Sequence, residues 1–81
     1  MHDGSVRVQV DCREGADPRA FFLGERRLHV MRVLERGAES SHRTFRVRVA
    51  DGREFVLIQD LDTGEWRLAR IHARGAHAAR P

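Results

Sequence analysis

RTFRVRVADGREFVLIQDLDTGEWRLARIH, residues 43–72, consists of three apolar-alternating runs separated by two short Gly-containing segments. From Thr44 to Ala50, Phe45, Val47 and Val49 alternate with Thr44, Arg46 and Arg48. A period of two sends successive side chains to opposite faces of a strand. Asp51-Gly52 follows, and Asp-Gly between strand-like runs marks a hairpin. Two registers compete there. A two-residue turn at Asp51-Gly52 would pair Val47 with Val56. A three-residue turn, Ala50-Asp51-Gly52 with Gly52 left-handed, pairs Val47 with Phe55 and Phe45 with Leu57. It also sets Arg48 opposite Glu54, an opposite-charge pair contributing ~0.2–1 kcal/mol. A one-residue slip would carry a whole apolar set to the wrong face. The three-residue turn is the expected one.

The second turn is Leu61-Asp62-Thr63-Gly64, after which Trp66 and Leu68 alternate with Glu65, Arg67 and Ala69. A four-residue loop sets Leu68 opposite Leu57. Phe45, Val47, Phe55, Leu57, Trp66 and Leu68 then share one face, each contributing ~1.5–3 kcal/mol on burial before entropy is subtracted. Val56 and Ile58 fall on the other face and need cover from elsewhere in the chain.

Working outward, Ser5–Asp11 (SVRVQVD) alternates as a first strand, and Cys12–Pro18 reads as a polar loop. Ala20–Leu23 is a short strand turning at Gly24-Glu25 into residues 27–36, RLHVMRVLER. Leu28, Met31 and Leu34 have helical spacing there. Val is a poor helix former, however, and no N-cap residue precedes the segment. It reads as a long strand, apolar on both faces, with a bulge near Arg32. Gly37–Ser41 is expected as a flexible loop and residues 75–81 as a disordered tail. The expected architecture is all-β: a twisted antiparallel meander of five or six strands, curled into a small half-open barrel over residues 1–74. The alternative is α+β with residues 27–36 helical.

With 81 residues, a single modest core is expected, burying roughly 60% of the surface exposed in the unfolded chain. No apolar run approaches the ~20 residues that span a membrane. One cysteine, Cys12, has no internal disulfide partner, which makes the cytoplasm the expected location. All fifteen basic residues are arginine, and Lys, Asn and Tyr are absent. Those three residues share AU-rich codons, so their joint absence points to a GC-rich genome. Part of the arginine excess is therefore a coding effect. The net charge of +3 is mild for a nucleic-acid binder. Charge is segregated, however: residues 42–53 are mostly basic, 54–65 acidic and 66–81 basic. Adjacent strands of opposite sign suit a salt-bridged, solvated face.

The pattern Pro18-x-x-Phe21-x-x-Gly24-x-Arg26-Arg27-x-x-Val30-x-x-Val33-Leu34, then Phe45-Arg46-Val47-Arg48-Val49, then Asp60-Leu61-x-Thr63-Gly64-x-Trp66-x-Leu68-x-Arg70, resembles a small bacterial domain of unknown function. That family occurs in high-GC bacteria, free-standing or appended to proteins related to Y-family DNA polymerases. The resemblance covers roughly residues 18–72 and rests on strand and turn residues. Relatives carry aromatics where Leu23 and Leu28 stand, and Trp where Gly37 stands. The resemblance implies a tilt toward DNA metabolism and assigns no site residue.

The chemistry-bearing residues are few. His2, His29, His42, His72 and His77 lack the spacing of a metal site, which needs three or four convergent ligands. Cys12 lies among Asp11 and Glu14, which raise a thiol pKa and disfavour a nucleophile. Asp60, Asp62 and Glu65 crowd one hairpin tip, and turn formation alone accounts for them. No catalytic residue, metal site or cofactor is therefore expected. Nucleic acid, DNA or RNA, is the leading partner class. Arg43, Arg46 and Arg48 are read as projecting from one strand face, joined by Arg26, Arg27, Arg67 and Arg70. Small β folds bind single strands by a basic groove with stacking aromatics. Phe21 and Phe22 point oppositely on a strand, leaving one to solvent. The rival expectation is a protein-interaction module or homodimer, using apolar sheet surface at Val30, Met31, Val33, Leu34, Val56 and Ile58.

Overall fold

Seven strands appear in the computed structural model, which describes residues 6–13 and 16–72. They are β1 (Val6–Val8), β2 (Val10–Asp11), β3 (Ala20–Leu23), β4 (Arg26–Ala38), β5 (His42–Val49), β6 (Glu54–Asp60) and β7 (Trp66–His72). All pair antiparallel in the order β1-β7-β6-β5-β4-β3-β2. The two ends of that order are consecutive pieces of one run, interrupted only at Gln9, whose carbonyl accepts the Phe22 N–H at 3.0 Å. One N-terminal strand thus lies against both ends of the meander. The sheet is bent into a small half-open barrel.

The hairpin registers follow from turn chemistry. Gly52 has φ 94°, Gly52 N–H donates to the Val49 carbonyl, and Val49 N–H donates to Arg53. This is a three-residue loop closed by a left-handed glycine. It pairs Val47 with Phe55, Phe45 with Leu57 and Arg48 with Glu54. At the second turn Gly64 has φ 81°, and Asp60 N–H donates to the Glu65 carbonyl at 2.8 Å. Leu68 falls opposite Leu57, and Ala69 is the extra residue of a bulge.

Residues 27–36 are strand, which overturns the helical alternative. Register shifts between Val30 and Arg32 and between Val33 and Glu35 insert Met31 and Leu34 as bulged residues. Two bulges stretch a period of two toward a spacing of three. Val30 and Val33, both paired on β5, thus fall three apart, as do the inserted Met31 and Leu34, and with Leu28 that spacing imitates a helix. The expected loop at Gly37–Ser41 is also shorter: Gly37 and Ala38 pair with Thr44 and Arg43. A Cβ at Gly37 would stand 2.6 Å from Thr44 Oγ1, so the glycine permits the pairing. The expected tail, residues 75–81, lies outside the described residues, as does Ser5.

Inside the barrel lie Phe21, Leu28, Phe45, Val47, Val49, Phe55, Leu57, Trp66 and Leu68. Phe21 meets Phe55 edge-on at 5.1 Å between centroids, and Phe45 tilts over Trp66 at 5.7 Å. Phe55 and Trp66 share the interior, as the pairing requires. The loop after β2 is fastened alongside β4. Pro18 is buried, Val30 N–H donates to the Arg19 carbonyl, and Arg36 grips Asp17 through two nitrogens at 2.9 and 2.6 Å. That grip holds the Asp17 carboxyl below its ordinary pKa.

Candidate nucleic-acid interface

Cross-strand pairing defines an outer surface of three rows over β4–β7. The first row is Arg32, Arg48, Glu54 and His72. The second is Glu35, Arg46, Val56 and Arg70, and the third is Gly37, Thr44, Ile58 and Arg67. Arg46, Arg48 and Arg67, expected at a nucleic-acid surface, therefore occupy positions of one face, and the backbone of Arg70, also expected there, pairs in register with Val56. Val56 and Ile58, half-buried, lie between them.

Arg43 belongs elsewhere, and the reading that grouped it with Arg46 and Arg48 is corrected. Its odd position puts it on the side of Phe45, Val47 and Val49. Its guanidinium lies 5.0 Å from the Phe45 ring centroid and donates through Nε and Nη2 to Gln59 Oε1. It caps one end of the core. Arg26 and Arg27 stand on the β3–β4 hairpin. Arg27 is bonded to Asp11 at 2.8 Å, and the Arg26 charge makes a minor contribution to lowering the Asp51 pKa.

Glu54 organises the electrostatics. Only 8% of its surface is exposed. Its Oε1 accepts from Arg46 Nη2 at 3.0 Å and its Oε2 from Arg48 Nη2 at 3.0 Å. These two bonds, that from Arg48 first, hold the Glu54 carboxyl below its ordinary pKa. Arg46 also reaches Glu35 at 3.4 Å, and its own pKa is raised, chiefly by Glu54. Charge-assisted hydrogen bonds of this kind are the stronger sort. Arg48 is less well served. Its Nε is covered by protein and meets no acceptor, a state costing about 1–3 kcal/mol for a buried donor. Beside this network a shallow depression of about 340 Å³ lies over Gly37, Thr44 and Val56, walled by Glu35 and Arg46.

Arg32 was not among the sequence candidates. The extra residue at Met31 turns Arg32 outward, directly opposite Arg48. The signal was the adjacent apolar pairs Val30-Met31 and Val33-Leu34, each of which marks one inserted residue.

The other candidates resolve simply. Asp60 Oδ1 accepts from the Asp62 and Thr63 N–H groups, and Thr63 Oγ1 from Glu65 N–H, so the acidic tip is a hydrogen-bonded turn. Among the described residues no three of His, Cys, Asp and Glu gather as a metal site. Cys12 is half-buried against the core, and burial more than Asp11 pushes its thiol pKa up. Phe21 is fully buried while Phe22 is half-buried on the opposite side, across from Arg27 and away from the three rows. Among the described residues no helix is long and apolar enough to cross a membrane. No protein-family model, curated protein or solved structure significantly matches the chain. The resemblance drawn from strand and turn residues stands on those residues alone.

Proposed function

We propose that this barrel is a non-catalytic binding module that holds single-stranded nucleic acid on the outer face of β4–β7. One observation carries the reading. Arg32, Arg46, Arg48 and Arg67 occupy outer positions of three neighbouring rows against two acids, Glu35 and Glu54. Between them runs an apolar strip, Val56 and Ile58, that bases can cover when they are not paired with one another. The resemblance to a domain appended to polymerase-related proteins leans the same way. The reading goes with a cytoplasmic setting, where a lone Cys12 stays reduced.

The test is fluorescence anisotropy of a labelled single-stranded oligothymidylate titrated with the full chain over a series of salt concentrations. Binding should weaken steeply with salt, by a slope of ~0.7 per neutralised phosphate. Arg67→Ala should reduce both affinity and slope. A second reading is favoured by Met31, 63% exposed at a bulge of β4, and Val6, 51% exposed. It is association with another copy or a protein through apolar surface, which salt leaves unchanged or strengthens. No binding at low salt together with a monomer at high concentration would sink both.

A further inference from the structure

We infer that Arg32 and Arg48 form a clamp for one backbone phosphate of the bound single strand; this rests on the function proposed above and names its anion contact. The two arginines face each other across β4 and β5 in direct register. Like charges so placed repel and destabilise a sheet. Among the described residues nothing relieves that repulsion fully. Glu54 is divided between Arg46 and Arg48, and Arg48 uses only Nη2 on it. Its Nε lacks an acceptor. Arg32 is exposed and has no anionic partner among the described residues. Arg46, by contrast, holds both Glu54 and Glu35. Arg32 also lines, without Arg48, an open depression of about 300 Å³ whose lining includes Arg19 and His29. The one acid in that lining, Asp17, is occupied by Arg36. A phosphate between Arg32 and Arg48 would meet the exposed guanidinium fork of Arg32 and the charge of the Arg48 guanidinium, which Glu54 engages through Nη2 alone.

The experiment compares wild type, Arg32→Ala and the off-face control Arg53→Ala, whose guanidinium lies over the interior Phe55 ring and is bonded to Asp51, with the same oligothymidylate across salt. Arg32→Ala should lower affinity and make the plot of log affinity against log salt shallower by ~0.7, one phosphate contact on a single strand. It should melt no lower than wild type, since it removes a repulsion. Arg53→Ala should leave the slope unchanged. If the oligonucleotide binds and Arg32→Ala keeps the wild-type affinity and slope, the clamp is refuted while the proposed function stands. If wild type binds no oligonucleotide, the proposed function fails, and inorganic phosphate decides the clamp. Shifts of the Arg32 and Arg48 Nε resonances on adding phosphate would support an anion site of another use. Unmoved resonances would overturn it.

Discussion

Glu54 shows how much one buried carboxylate can hold. It is the shared acceptor of Arg46 and Arg48, and its pKa is depressed by both. A group whose folded pKa lies below its unfolded value stabilises the fold above the unfolded value, near ~4.3 for Glu. That contribution is lost as pH falls through the depressed folded value. Asp17 and Asp51 are shifted in the same direction, by Arg36 and by the Arg53 backbone N–H. Urea midpoints measured from neutral pH downward should therefore fall below about pH 4–5. Glu54→Gln should start lower and decline less over that window. At neutral pH, Glu54→Ala should cost about 1–3 kcal/mol, because two guanidiniums lose their acceptor. An unchanged midpoint would show that Glu54 is a solvated surface charge. Its partner Arg48 was legible from the turn alone; its sharing with Arg46 was not, since that depends on side-chain reach across a diagonal.

Among the strands, the turns and bulges decide which residues share a face. Gly52 sits at φ 94°, where a side chain strains the backbone. Gly52→Ala should cost about 1–2 kcal/mol, read as a lower urea midpoint with the same slope. Gly37 tests a different physical effect. Its backbone is ordinary, but a methyl would meet Thr44 Oγ1 at 2.6 Å. Gly37→Ala should destabilise, and Thr44→Ala in the same chain should recover much of the loss. Additive effects of the two substitutions in a double-mutant cycle would refute the clash. These elements were unevenly legible. Asp51-Gly52 and Asp62-Thr63-Gly64 advertise their turns locally. The bulges at Met31 and Leu34 leave only doubled apolar residues, which a helix explains equally well until β5 is seen alongside.

As a whole, the molecule is a meander closed by its own first strand. Its largest fully buried side chains among the described residues are Phe21, Phe55, Leu57 and Val47. Phe55→Ala should cost about 3–5 kcal/mol, comparable with the low end of the ~5–15 kcal/mol that holds a domain together. Trp66, 6% exposed beside Phe45, reports the change: its emission in Phe55→Ala should shift red without denaturant or at a much lower urea concentration. A wild-type transition would place Phe55 outside the core. The sequence by itself determined the all-β class, the two C-terminal hairpin registers and the interior side of β5–β7, because period-two patterning and glycine turns act between near neighbours. Only the tertiary structure decided that Val6–Asp11 is shared between both ends of the sheet. It likewise decided that Arg43 caps the core and that Arg32 stands against Arg48. Those outcomes depend on which distant strands pair and where an extra residue is absorbed, and both are settled by packing around the common core.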